Sequence, residues 1–171
     1  QAILRTSKIK LHALRGLLNA GAMLCFFYGL SITPLAQVTA LSFAVPLFAT
    51  LFAVLLLREI IKIRRITALL IGFFGTLVII RPGLIDFGLG PILILSQAII
   101  WSLALMVIKV LTRTDSSLTI AIYASIFLSP MVLIAAIPVW QSPTVYQLIL
   151  MLIIATFGTI AQTLMLSLIH I

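Results

Sequence analysis

Few side chains in this sequence could do chemistry, and most of those sit inside long apolar runs. His12 stands in a basic flank, the other histidine is the penultimate His170, and no acid is placed by sequence to orient either. The acids are Glu59, Asp86 and Asp115, each in a connection between apolar runs. Hydrolytic or metal chemistry needs clustered His, Asp, Glu or Cys, or an activated Ser. The sequence therefore points to no enzyme, no metal site and no cofactor. Gly72-Phe-Phe-Gly75 lies within an apolar run and reads as helix packing rather than a phosphate loop. Cys25, the single cysteine, excludes an internal disulfide and reads as a packing residue. What remains is binding chemistry. Asn19, Thr39, Ser42, Gln97 and Tyr123 offer hydrogen bonds, Trp101 offers a stacking surface, and Pro46 frees a backbone carbonyl of its own helix.

The elements that must position these residues are membrane spans. The chain is 63% hydrophobic and 8% charged over 171 residues, whereas a soluble domain carries about 25% charged residues. Its net charge of +8 comes from short basic clusters between apolar runs. No basic stripe supports nucleic-acid binding; clusters in alternate loops are the mark of a multi-pass membrane protein. A helix needs about 20 apolar residues to cross a bilayer. The runs 14–31, 35–57, 66–81, 88–109, 118–139 and 146–165 predict six transmembrane helices in an all-α fold. Turn chemistry at Ser31-Ile-Thr-Pro34, Arg81-Pro-Gly83 and Gln141-Ser-Pro143 keeps the connections short, so sequential neighbours run antiparallel.

Charge sets the expected orientation. Arg5, Lys8, Lys10 and Arg15 precede the first span, Arg58, Lys62, Arg64 and Arg65 separate the second from the third, and Lys109 and Arg113 separate the fourth from the fifth. The opposite loops hold Arg81 alone. Positive loops face the cytoplasm, which places the N-terminus there. Tyr28, Trp140 and Tyr146 fall at the predicted outer ends, where aromatic rings prefer the headgroup layer.

The second span carries the densest signal. Ala36, Ala40 and Ala44 form a small-xxx-small stripe suited to close helix approach, and Thr39, Ser42, Pro46, Ala49 and Ala53 lie on a neighbouring face. Pro46, near the midplane, marks either a kink healed by a neighbouring helix or an interrupted helix of the kind that forms transporter sites. Asn19, Gln97 and Tyr123 either bond to other helices or line a cavity, and Trp101 either stacks on a solute or packs. Glu59 is within reach of Lys62 at i+3 and reads as a solvated pair. No carboxylate lies mid-membrane, so a proton-driven mechanism through a buried acid finds no acid among these residues.

The runs Phe26-Phe-Tyr-Gly-Leu-Ser-Ile-Thr-Pro-Leu-Ala36, Ala40-Leu-Ser-Phe-Ala-Val-Pro-Leu-Phe48, Leu55-Leu-Leu-Arg-Glu59 and Gly72-Phe-Phe-Gly-Thr-Leu-Val-Ile-Ile-Arg-Pro-Gly83 resemble the EamA-type permeases of the drug/metabolite transporter superfamily. The resemblance covers residues 11–165 and is strongest from 26 to 83. It implies a fragment of a ten-helix inverted-repeat transporter, corresponding to helices three through eight. Residues 1–83 would close the first repeat and residues 84–165 would open the second. Where the family has glycine before the acid that ends its fourth helix, this chain has Arg58. Leu166–Ile171 departs from the family pattern and matches the translated end of a transposon sequencing adapter, so residues 166–171 are expected to be a non-native tail.

The resemblance implies a permease that moves small organic metabolites by alternating access, in a bacterial inner membrane. The candidate cavity residues are Asn19, Thr39, Ser42, Pro46, Gln97, Trp101 and Tyr123, and the candidate helix-packing residues are Ala36, Ala40, Ala44, Gly72 and Gly75. With no intramembrane charge visible, a neutral or zwitterionic solute is favoured. The expected partners are a small-molecule solute, the lipid bilayer, and the missing helices of the same protein or a second copy in a homodimer. The alternative is a non-transporting membrane scaffold that uses the alanine stripe for partner helices.

Overall fold

The structure, a computed structural model, describes residues 6–58, 60, 62–80 and 88–169. Every regular element among them is helical: α1 (Ile9–Ser31), α2 (Leu35–Ser42), α3 (Ala44–Leu57), α4 (Ile63–Ile80), α5 (Leu89–Leu111), α6 (Ser117–Ala136) with a 3-10 turn at Ile137–Val139, and α7 (Val145–Ile169). Five stretches are long and apolar enough to cross a membrane: Ile9–Ser31, Leu35–Leu57, Leu89–Leu111, Ser117–Val139 and Val145–Gln162. The third expected span is α4, whose apolar stretch among the described residues, Ile66–Gly75, is shorter. Glu59, Arg81, Asp86 and the Arg81-Pro-Gly83 turn lie outside the described residues.

Local chemistry explains where the helices start and stop. Pro34, with φ −56° and ψ 137°, precedes α2, and its carbonyl accepts from the N–H groups of Gln37 and Val38. Ser116 caps α6, its hydroxyl accepting from the Thr119 N–H at 3.2 Å. Thr144 and Gln147 form a reciprocal capping box ahead of α7: the Gln147 side chain accepts from the Thr144 N–H at 2.8 Å, and the Thr144 hydroxyl accepts from the Gln147 N–H at 3.4 Å. At the end of α3, Arg58 adopts the left-handed conformation, φ 51° and ψ 39°, that glycine usually supplies. A conformation that favours glycine is therefore held here by an arginine.

The second predicted span does not run unbroken. It divides into α2 and α3 at Phe43, whose N–H reaches back three residues to the Ala40 carbonyl at 3.2 Å, a 3-10 pattern. Pro46 gives the reason: it has no N–H for the Ser42 carbonyl, and its ring crowds that carbonyl. The interruption therefore falls one turn before the proline.

The chain forms two compact units, one of Leu18–Val107 and one of Gln1–Leu17 with Ile108–Ile171. In the first, α4 packs on α2 and α3, and small residues dominate the buried set: Ala20, Ala22, Ala40, Ala44, Ala53, Ala98 and Ala104. Small side chains let helix backbones approach closely, the main source of packing energy in lipid. A β-carbon at Gly29 would lie 2.7 Å from the Ile94 side chain, and one at Gly90 would overlap the Thr33 hydroxyl. In the second unit α6 packs on α7, and none of Val145–Gln162 is buried. Exposed apolar side chains along such a helix suit a lipid-facing surface.

Candidate functional site

Within Leu18–Val107 the candidate site centres on the interruption between α2 and α3. Ser102, fully buried on α5, donates its hydroxyl proton between two carbonyls, Ala98 at 2.6 Å and Val45 at 3.0 Å. The second bond ties α5 to the first turn of α3, beside Pro46. Sequence reading passed over Ser102; its place in the four-residue repeat Ile94, Ala98, Ser102 on one buried face was the available signal.

The expected cavity residues divide into two groups. Asn19 is 9% exposed, and Gln97 is half-buried; the side-chain carbonyl oxygens of both are enclosed without a hydrogen-bond partner. The hydroxyl oxygens of Thr33 and Thr50 share that condition. An enclosed polar atom without a partner costs about 1–3 kcal/mol, so such atoms mark places where water or a ligand group would be welcome. Trp101, one turn beyond Gln97, is half-buried. By contrast, Thr39 donates to the Ala36 carbonyl at 2.9 Å and Ser42 to the Val38 carbonyl at 2.8 Å, so both hydroxyls serve their own helix. Pro46 is exposed. Along the alanine stripe, Ala40 and Ala44 are buried and Ala36 is exposed. A β-carbon at Gly72 or Gly75 would meet nothing within 4 Å.

Tyr123 belongs to the other unit, where a polar cluster corrects two sequence readings. His12 was expected to lack an orienting acid, yet its Nε2 lies 2.8 Å from the Asp115 Oδ2. The same oxygen accepts from the Thr6 hydroxyl at 2.7 Å. His12 is fully buried and Asp115 is 9% exposed, so a buried acid does exist in this chain. Burial pushes the Asp115 carboxyl upward, but hydrogen bonds from His12 and Thr6, the charge of His12 and a hydrogen bond from Thr114 outweigh it and hold it below its ordinary value. The Tyr123 ring lies against His12 at 4.7 Å between centroids.

Arg15 supplies the second correction. Counted by sequence among the flanking cations, it is fully buried within α1. Its Nη1 donates to the Ile120 carbonyl at 2.7 Å, while Nε and Nη2 have no partner among the described residues. His12, Arg15 and Asn19 recur three and four residues apart, so one face of α1 carries all three, and that spacing was the signal to be read.

Apolar helices of spanning length, carrying enclosed polar groups, define an integral multi-pass membrane protein. Residues 1–81 match the EamA-like transporter family. It is 31% identical over 164 residues to an S-adenosylmethionine uptake transporter of Rickettsia bellii, covering 96% of this chain and 56% of that protein. It is 34% identical over 151 residues to a riboflavin transporter of Vibrio cholerae, covering 88% of this chain and 51% of that protein. The chain spans about half the length of these curated relatives. The family is one of transporters, not enzymes. No solved structure matches the chain.

Proposed function

We propose that this chain forms part of a secondary transporter that moves small organic metabolites across a membrane by alternating access. The observation that carries the reading is the set of enclosed, unpartnered acceptor atoms in the unit with the interrupted span, Asn19 Oδ1 and Gln97 Oε1 above all. A packed scaffold gains nothing from leaving such atoms empty. A solute with N–H or O–H donors would fill them, and Trp101 would stack on its planar part. S-adenosylmethionine and riboflavin, the solutes named for the two relatives, each combine a planar nitrogen heterocycle with a polar arm. We take that as the solute class of this chain as well.

With Arg15 set aside, nine flanking cations against one still support a cytoplasmic N-terminus. The half-length coverage of the relatives is in keeping with helices three through eight of a ten-helix protein, with residues 1–83 in one repeat and 84–165 in the next. The remaining helices, from the same protein or a second copy, would complete the solute pathway.

The test is solute exchange by the full-length protein in liposomes, with labelled riboflavin and S-adenosylmethionine as probes. Trp101→Ala and Ser42→Leu are expected to slow exchange about tenfold or more, the loss of one good stacking or packing contact in the pathway, with normal membrane insertion. Unchanged exchange in both variants rejects the site. Cysteines placed at positions 42 and 97 separate the scaffold reading: labelling by a water-soluble reagent supports a cavity, and protection supports packing.

A further inference from the structure

The His12–Asp115–Arg15 cluster has no part in solute binding as read above, and apolar packing gives no reason for it. Two of its members are fully buried and the third nearly so. Enclosing charge-bearing groups is unfavourable unless each finds a partner, and here the partnering is incomplete in a specific way.

Asp115 Oδ2 receives the Thr6 hydroxyl at 2.7 Å and faces His12 Nε2 at 2.8 Å. An ionised carboxylate can only accept, so Nε2 carries a hydrogen, and in the neutral form of the ring Nδ1 bears a lone pair. That Nδ1 is enclosed and has no partner among the described residues. An imidazole held this way, with an acid behind one nitrogen and a vacant lone pair on the other, is arranged to take a proton.

The neighbouring groups set the balance. Arg15, three residues along α1, is fully buried and donates to the Ile120 carbonyl at 2.7 Å. Tyr123 of α6 covers the ring at 4.7 Å between centroids. Thr114 and Thr6 supply hydrogen bonds to Asp115. The other described cations of this unit are Lys8 and Lys10, at the start of α1, and Lys109 and Arg113, at the end of α5 and just beyond it. Asp115 therefore supplies the negative charge that an imidazolium at His12 faces.

We propose that His12, oriented by Asp115, is a proton-binding site that couples solute movement to a proton gradient. Nδ1 takes a proton from water and the ring becomes an imidazolium matched by Asp115. Release returns the proton to water, and no other bond forms or breaks. The inference rests on the transport reading above.

The experiment uses the full-length protein in liposomes, with riboflavin and S-adenosylmethionine as probes, and compares two modes. With one proton per solute, a one-unit pH gradient drives about tenfold accumulation. His12→Gln and Asp115→Asn are expected to abolish that accumulation while solute exchange without a gradient continues. Accumulation by His12→Gln at the native level overturns the proposal. Nitrogen-15 NMR of the imidazole groups gives a readout that needs no solute. The His12 ring should show both the Nε2–H tautomer and the imidazolium as the pH is varied. A ring that keeps one form throughout overturns the proposal. Titration by His12 without exchange of either solute upholds the proton site and rejects the transport reading instead.

Discussion

The Ser102 hydroxyl lies 3.0 Å from the carbonyl of Val45, joining two helices at the residue before Pro46. Chain continuity does not require this bond, since the residues are 57 positions apart. It places a donor where the proline has disturbed the local ladder, so the interruption is held by a neighbouring helix rather than left open. Ser102→Ala should lower stability by about 1 kcal/mol, as for other interhelical hydrogen bonds in membranes. Thermal unfolding in detergent measures it. Unchanged stability would mean that the proton stays with Ala98, its other acceptor at 2.6 Å.

Gly90 has no room for a side chain, because a β-carbon there would overlap the Thr33 hydroxyl. Gly90→Ala should destabilise the chain by about 1–3 kcal/mol, the range for overpacking. Thr33→Ala removes the obstructing oxygen, so the double variant should recover most of the loss. A double variant no better than Gly90→Ala would place the strain elsewhere. Unfolding midpoints of the four proteins decide it.

Arg58 holds the left-handed conformation at the end of α3. A side chain there crowds its own carbonyl, which glycine avoids. Arg58→Gly should stabilise by about 0.5–1 kcal/mol, while Arg58→Ala should give no such gain because the β-carbon remains. The two variants compared by thermal unfolding separate relief of strain from simple loss of the charge.

Acid should weaken the unit that contains Asp115. Burial raises its carboxyl, but the bonds and charge of His12, Thr6 and Thr114 lower it further, to a net position below 3.8. A carboxyl lowered by folding adds stability above its unfolded pKa and loses that stability as pH falls through the folded value. The unfolding midpoint of the native protein should therefore drop between about pH 5 and 2, and Asp115→Asn should show a shallower drop. Parallel curves would remove the carboxylate from the account.

Long apolar runs made the spans legible, because bilayer thickness imposes a length that hydropathy reports directly. The edges were less legible. The first span was read from residue 14, but α1 begins at Ile9: basic residues end an apolar run without ending a helix. Pro46 announced a disturbed helix and did not reveal that the lapse would fall at Phe43. The pairing of His12 with Asp115 joins residues 103 positions apart, and no spacing within one element encodes a contact of that kind. Arg15 was misread for a related reason, since the charge rule counts cations by loop and is blind to which of them the fold encloses. Asn19 and Gln97 were recognisable as costly groups in hydrocarbon, but their lack of partners emerges only in three dimensions.

The lapse at Phe43 also has a mechanical meaning. The 14 residues of α3 form a rod about 21 Å long at 1.5 Å per residue, pivoting on one residue whose helical bonding is already loosened. A rotation of about 10° at that pivot sweeps Leu57 through about 4 Å. Leverage of this order turns a small torsion deep within the span into a displacement at its far end, next to Arg58.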